Sequence, residues 1–175
     1  KNISLKKFKN AEVLILGANG FLACYLQACL NLGNVLLGLN CKITCTSLNK
    51  PRGILRELLS KNKNFKFVQA NLNKKDNLLK FNKKYDFIFH CATYASPSIF
   101  MKNQYETINL NTLVLKFFLD KCRKDNSSLL YISSVDVYGH TQNFNRAITE
   151  SLNFENIPNL KRSSYGGSKR IGEAL

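Results

Sequence analysis

The chain has 175 residues, 45% of them hydrophobic, and a net charge of +15 from 26 basic and 11 acidic side chains. This length suits one domain with a real core, and no window reaches the ~18 apolar residues of a membrane span. The lysines are scattered and do not alternate with aromatic residues, so we interpret the charge as composition and expect neither a nucleic-acid nor a membrane partner.

Short apolar runs alternate with longer helical patterns along the chain. Strands are predicted at residues 13–16, 42–47, 65–70, 85–93 and 128–134. Apolar residues at helical spacing follow the first run, and a further helix is predicted over residues 104–124. Unbroken apolar strands separated by helices indicate a parallel sheet covered on both faces. We therefore predict an α/β fold with a doubly wound parallel sheet, of the Rossmann type.

A glycine turn joins the first predicted strand to the first helix. Gly17 follows the strand directly, and Gly20 and Ala23 stand at the start of the helix, which gives a G-x-x-G-x-x-A spacing. Gly17 permits a tight turn, Gly20 lets the backbone approach a pyrophosphate, and Ala23 lets the helix pack closely on the strand. The helix N-terminus offers free N–H groups to phosphates. The turn therefore predicts a dinucleotide site, and a tight turn without a ligand is the alternative.

The residues after the second strand lack the acid that commonly holds the ribose hydroxyls of a dinucleotide. No Asp or Glu occurs from residue 13 to residue 56. Lys50 and Arg52 suit a 2′-phosphate, which would favour NADP. Ser47 or Asn49 suits a plain ribose, which would allow NAD. The sequence leaves NAD and NADP as alternatives.

The cysteines give no sign of a disulfide framework. Most of the six lie within apolar runs, where reduced cysteine behaves as a small core residue. No pair has CxxC spacing and the two histidines are isolated, so we expect no metal site. The first apolar run, from residue 13, is too short for a signal peptide. We therefore expect a cytoplasmic protein with reduced, buried cysteines.

The last helical pattern places Tyr165 and Lys169 four residues apart, so they are neighbours on one helix face. A phenol has an ordinary pKa near ~10, which must fall by about three units for it to act as a base near neutral pH. A nearby ammonium and an oxidised nicotinamide, both cationic, lower that pKa. The phenolate can then take a proton from a sugar hydroxyl while hydride leaves for the cofactor. Ser133 and Ser134, after the fifth strand, offer a hydroxyl to complete the relay.

Four segments, "GANGFLA", "HCATYAS", "SSVDVYG" and "YGGSK", occur in an order and spacing that resemble the extended short-chain dehydrogenase/reductases. The chain is most similar to their nucleotide-sugar epimerases, dehydratases and decarboxylases. The segment "ASPSIFMKNQYETINLNT" most resembles the UDP-glucuronate decarboxylase branch. The resemblance covers essentially the whole chain. It implies an enzyme of carbohydrate biosynthesis that uses NAD or NADP, acts on a nucleotide-sugar substrate and forms a homodimer in its full-length form.

The resemblance also implies which residues contact the cofactor. Gly17, Gly20, Phe21 and Leu22 would line the pyrophosphate, Asn71 and Leu72 would lie beside the adenine, and Cys91, Ala92 and Thr93 would pass beneath the cofactor. The amide of Asn71 replaces the usual acid and can still hydrogen-bond the adenine amine as a neutral group. Asn111, which we count with the cofactor-binding residues, matches the structural asparagine of the helix after the fourth strand.

The resemblance implies that Tyr165 is the catalytic base and Lys169 its partner, that both also contact the cofactor, and that Ser134 is the catalytic serine. The 4,6-dehydratases of the family carry an Asp-Glu pair after that position, and here the pair is Val135-Asp136. Valine cannot donate a proton, which disfavours a simple dehydratase. Asp136 keeps a carboxylate in the second position, as decarboxylases and some epimerases do.

The leading hypothesis is an NAD(P)-dependent nucleotide-sugar-modifying enzyme that oxidises a sugar ring hydroxyl by hydride transfer. One alternative is a non-catalytic dinucleotide-binding regulatory domain, against which the intact Ser134, Tyr165 and Lys169 set argues. Another is a basic nucleic-acid-binding α/β protein, which a steep salt dependence of DNA binding without cofactor binding would favour.

The resemblance assigns residues 1–175 to the N-terminal portion of a Rossmann domain, truncated before a sixth strand and a smaller sugar-nucleotide domain. The last helical pattern runs into the final residue without a C-cap glycine. We therefore expect a piece of a longer enzyme, which alone would lack productive sugar binding.

Overall fold

A computed structural model describes residues 5–139, 149–150 and 162–175. Five parallel strands form one sheet in the order β3-β2-β1-β4-β5. The strands are β1 Glu12–Leu16, β2 Lys42–Ser47, β3 Phe65–Gln69, β4 Phe87–His90 and β5 Ser128–Tyr131. This order is the one expected for a doubly wound sheet, whose strand order reverses beside the first strand. The predicted α/β fold is confirmed.

Seven α-helices lie within the described residues: α1 Phe21–Leu37, α2 Gly53–Lys61, α3 Lys75–Leu78, α4 Pro97–Phe100, α5 Gln104–Asn109, α6 Leu115–Asp125 and α7 Ser163–Ala174. Short 3₁₀ turns occupy Leu5–Phe8, Leu79–Phe81 and Val135–Tyr138. The single helix predicted over 104–124 is interrupted, because a π-helical turn at Leu110–Val114 separates α5 from α6. None of the described helices is long and apolar enough to cross a membrane.

The chain divides into two compact units. The first comprises Lys1–Ala92 and Phe117–Ile132 and holds the whole sheet with α1, α2 and α3. The second comprises Thr93–Lys116 and Ser133–Leu175 and holds α4, α5, the π-helical turn and α7. The predicted cofactor turn thus belongs to the first unit, and the predicted Ser–Tyr–Lys set belongs to the second.

The three central strands β1, β2 and β4 are buried on both faces, whereas the edge strands β3 and β5 are largely half-buried or exposed. Val13 and Ile15 of β1 share one hydrophobic cluster with Leu30 of α1 and Leu55 of α2. Leu14, which points to the opposite face because side chains alternate along a strand, is also fully buried. Apolar residues on both faces explain why the strands appear in the sequence as unbroken apolar runs.

The fourth and fifth strands are shorter than predicted. The run at 85–93 gives a strand only over Phe87–His90. The reason is that its partner β1 ends at Leu16, and the chain turns away at Gly17. One further bond, from the N–H of Cys91 to the carbonyl of Leu16 at 3.0 Å, closes the ladder.

All six cysteines are free. Cys41, Cys45 and Cys122 are buried, and burial raises the pKa of the Cys45 thiol to about 12 and that of Cys41 to about 11. The prediction of buried cysteines is wrong for Cys29, which is exposed on the outward side of α1. Within the described part of the chain, no group of His, Cys, Asp and Glu side chains is arranged to hold a metal ion.

Candidate active site

Gly17 begins the turn between β1 and α1 in a conformation that other residues rarely adopt. Its φ is +78°, and its N–H donates to the carbonyl of Thr46 at 2.9 Å. A Cβ at this position would lie 2.7 Å from the Cα of Ala92. The turn therefore packs directly on the backbone that follows β4, and it brings together Gly17, Cys91 and Ala92 from the predicted cofactor set.

The N-terminus of α1 is arranged as an anion-binding helix start. Gly20 is its N-cap and has no side-chain capping bond, so N–H groups of the first turn remain for a ligand. Ala23 is fully buried in the sheet cluster, as its predicted packing role requires. Phe21 and Leu22, predicted to line the pyrophosphate, are 75% and 52% exposed. The residues present fit the pyrophosphate of a dinucleotide.

Asn19, which was not among the predicted site residues, organises the loop after β2. Its Nδ2 donates to Ser47 Oγ at 3.1 Å and to the carbonyls of Asn49 and Lys50 at 3.2 and 3.0 Å. Its Oδ1 accepts from the N–H of Arg52 at 3.1 Å. The structure therefore gathers Ser47, Asn49 and Arg52 around one side chain of the glycine turn. The glycine spacing alone gives no signal for this role.

Asn71 and Leu72 follow β3 at the same edge of the sheet. Leu72 is buried. Asn71 Oδ1 accepts from the N–H of Asn73 at 3.0 Å, and its carbonyl accepts from Asn77 Nδ2 at 3.0 Å. The side-chain oxygen predicted to reach the adenine amine thus already serves a local turn, and its second lone pair is what it can offer a ligand.

In the second unit, Tyr165 and Lys169 lie on the buried side of α7, with exposures of 6% and 1%. The Lys169 Nζ is 6.0 Å from the centroid of the Tyr165 ring. Phe100 of α4 stacks on that ring at a centroid distance of 4.8 Å and an interplanar angle of 11°. Phe100 was not predicted as a site residue, because no local spacing links it to a helix 65 positions later.

Ser134 and Asp136 form a small polar cluster before α7. Ser134 caps the 3₁₀ turn by accepting from the N–H of Asp136 at 3.2 Å, and its hydroxyl lies 3.2 Å from the Asp136 carboxylate. Arg162 pairs with the same carboxylate at 3.1 Å. Ser133, the other candidate hydroxyl, instead donates to Glu173 near the end of α7. The two adjacent serines therefore have different partners, and only Ser134 contacts Asp136.

Groups around Tyr165 shift the pKa of its phenol in opposite directions. Burial is the largest cause and raises the pKa above its ordinary value. A hydrogen bond with Ser134 lowers the pKa, and the negative charge of Asp136 raises it. These protein groups together leave the phenol with a raised pKa, whereas base catalysis near neutral pH requires a lowered one.

Asn111 holds α7 from the π-helical turn. Its Nδ2 donates to Ser168 Oγ at 3.0 Å, and that hydroxyl donates to the carbonyl of Tyr165 at 2.9 Å. Asn111 is fully buried, so the structure places it against the helix that carries Tyr165. Thr93 Oγ1, from the segment predicted to pass beneath the cofactor, is buried and has no hydrogen-bond partner among the described residues.

The first glycine of the "YGGSK" segment, Gly166, lies where a side chain would not fit. A Cβ there would overlap the carbonyl oxygen of Asp136 and approach its carbonyl carbon at 3.1 Å, whereas a Cβ on Gly167 would meet nothing within 4 Å. Gly166 therefore lets α7 lie directly on the Ser134–Asp136 turn. No spacing in the sequence indicates this role.

The first unit is thus a Rossmann-type parallel sheet with a glycine turn, and the second unit carries a helical Tyr–Lys pair with a serine. The model of the NAD dependent epimerase/dehydratase family matches residues 13–175, and the chain belongs to that family. No curated protein matches the chain significantly.

Solved structures share the fold at low sequence identity. A UDP-glucuronic acid 4-epimerase from Bacillus cereus is 23% identical with a TM-score of 0.70, over 93% of this chain and 50% of that one. A UDP-N-acetylglucosamine 4-epimerase from Methanobrevibacter ruminantium M1 is 22% identical with a TM-score of 0.70, over 95% of this chain and 49% of that one. The chain thus spans about half the length of the structures it matches.

Proposed function

We propose that this chain carries the cofactor-binding and proton-transfer residues of an NAD(P)-dependent enzyme that modifies a nucleotide sugar. The reaction would begin with oxidation of a sugar ring hydroxyl: Tyr165 would take the hydroxyl proton, and a bound dinucleotide would supply the hydride acceptor. Epimerisation, decarboxylation or dehydration of the resulting ketone would follow. The observation that carries the proposal is the arrangement of Ser134, Tyr165 and Lys169 within one compact unit.

Each residue of this arrangement has a distinct task in the proposed chemistry. A hydrogen bond from the Ser134 hydroxyl to the phenol would favour its ionised form. Lys169 is buried beside the ring, where its ammonium would stabilise the phenolate. Phe100 fixes the plane of the ring by stacking. A bound oxidised dinucleotide would supply the hydride acceptor, and Gly17, Gly20 and the first turn of α1 would hold its pyrophosphate.

The substrate class rests on the family and its solved relatives. The Bacillus cereus enzyme is described in complex with UDP-glucuronic acid and NAD, and the Methanobrevibacter ruminantium enzyme is named a UDP-N-acetylglucosamine 4-epimerase. We propose a nucleotide sugar for this chain too. Val135 in place of an acid disfavours direct dehydration. The resemblance to the decarboxylase branch stays a prediction.

The proposal is tested by denaturing the purified protein and identifying any released nucleotide by mass, with titration of NAD and NADP into the native protein. We expect one of the two dinucleotides to be released or bound. Gly17→Ala should abolish that binding, while Gly167→Ala, in the second unit, should leave it unchanged. A folded protein that releases no dinucleotide and binds neither on titration would overturn the proposal. Turnover of a UDP-sugar by residues 1–175 would contradict only the expectation that this portion lacks productive sugar binding.

A further inference from the structure

The loop after β2 turns its carbonyl groups inward. Each carbonyl oxygen from residue 46 to residue 50 accepts a hydrogen bond from the protein: Thr46 from Gly17 and Ala18, Ser47 from Ala70, Leu48 from Gln69, and Asn49 and Lys50 from Asn19. Carbonyl oxygens are the groups that would repel an anion. Because Asn19 binds the carbonyls of Asn49 and Lys50, these two acceptors do not face outward from the loop. In this fold, the loop after the second strand is where the ribose of a dinucleotide binds.

The outer side of the same loop carries donors and positive charge. Lys50 and Arg52 are exposed, and neither is part of an ion pair among the described residues. Ser47 Oγ accepts from Asn19, which leaves the hydroxyl proton for a ligand. No carboxylate occurs from residue 13 to residue 56. A ribose with free hydroxyls finds no acid to accept its protons here, whereas a 2′-phosphate finds cations and donors.

We propose that Asn19 is a positioning residue that sets the cofactor preference of this chain, by folding the loop after β2 into a site for the 2′-phosphate of NADP. The inference rests on the proposed function, since it requires that the chain binds a dinucleotide. It adds the residue that selects between the two cofactors. Asn19 acts through the loop, and Lys50, Arg52 and Ser47 would contact the phosphate.

The first test compares the dissociation constants of NADP and NAD for the unmodified chain by calorimetry. We expect NADP to bind at least about tenfold more tightly, the gain that one charge-assisted contact typically gives. The preference should shrink as salt is raised, because exposed charges are screened. Equal binding, or tighter binding of NAD, would overturn the inference while leaving the proposed function intact. Binding of neither dinucleotide would overturn both.

The second test isolates Asn19 with a matched control. Asn34, at the other end of α1, makes the same two-way clamp, since its Nδ2 donates to the carbonyl of Cys41 at 3.0 Å and its Oδ1 accepts from the Cys41 N–H at 2.9 Å. Asn19→Ala should bring the NADP-to-NAD affinity ratio close to one. Asn34→Ala should lower thermal stability and keep the ratio. An Asn19→Ala protein that keeps the unmodified ratio would contradict the positioning role.

A third variant keeps the inference testable if Asn19→Ala does not fold. The double variant Lys50→Ala, Arg52→Ala removes both cations and leaves every Asn19 bond to the loop backbone available. It should weaken NADP binding by about tenfold or more and leave NAD binding within about twofold. Equal weakening of both cofactors would show that these side chains do not meet a 2′-phosphate, and would overturn the inference.

Discussion

The glycine turn of the first unit and the Tyr165 site of the second unit are constructed in different ways. The turn is held by backbone geometry, since Gly17 has a φ of +78° and its N–H bonds the end of β2. The Tyr165 site is held by side chains, with Phe100 stacked on the ring and Asn111 bonded to Ser168. The first arrangement tolerates few residue types. The second can be altered one contact at a time.

This difference separates two kinds of substitution. A change in the turn acts on the path of the backbone, and therefore on stability and on cofactor binding together. A change at a polar side chain around Tyr165, such as Ser134 or Asp136, acts on the environment of one phenol, and therefore on its pKa with a smaller effect on the fold. Each experiment below tests whether the two kinds of substitution differ in this way.

Gly17→Ala should have the largest effect. The new methyl group would lie 2.7 Å from the backbone of Ala92, in a backbone conformation that disfavours any side chain. The conformational penalty and the overlap together should lower the free energy of unfolding by about 3 kcal/mol or more. Urea denaturation followed by circular dichroism measures this loss.

Gly38→Ala is the control for the conformational part of that loss. Gly38 also has a positive φ, +59°, but a Cβ there would meet no atom within 4 Å. Its cost should be only about 1 kcal/mol. Equal losses for the two variants would mean that close packing against Ala92 contributes nothing to the turn.

Gly166→Ala should have the second largest effect, and Gly167→Ala is its matched control within α7. Alanine favours the helix at both positions by roughly 0.5–1 kcal/mol. At Gly166 the methyl group would overlap the carbonyl of Asp136, so we expect a net loss of about 2 kcal/mol in the free energy of unfolding. Gly167→Ala should stabilise the protein slightly. If both variants gain stability, α7 does not rest on the Ser134–Asp136 turn.

The sequence predicted the parts of the molecule that depend on local spacing. The strands follow from apolar runs, and the turn follows from the glycine positions, because a tight strand-to-helix bend restricts residue type at fixed intervals. Contacts such as Phe100 on Tyr165 leave no such pattern, since they join residues 65 positions apart through the tertiary fold. The π-helical turn was missed for a related reason: its residues have the same apolar spacing as an ordinary helix.

The loop after β2 shows the limit of motif reasoning most clearly. The sequence indicated the cations and the missing acid, and it left two cofactors open. The bonds from Asn19 to the loop depend on the orientation of one amide within a glycine turn. That orientation is a property of the folded backbone, so it was not accessible from composition or spacing.

The smallest predicted effects are opposite shifts in the pKa of Tyr165 when Ser134 and Asp136 are replaced one at a time. The Ser134 hydrogen bond lowers the pKa of Tyr165 and the charge of Asp136 raises it. Ser134→Ala should therefore raise this pKa further, so that the phenolate forms at higher pH, and Asp136→Asn should lower it. Ultraviolet difference titration measures both, with Tyr165→Phe identifying the signal. Shifts of the same sign in the two variants would mean that they disturb the packing around Tyr165, which would break the distinction between a backbone-held turn and a tunable side-chain site.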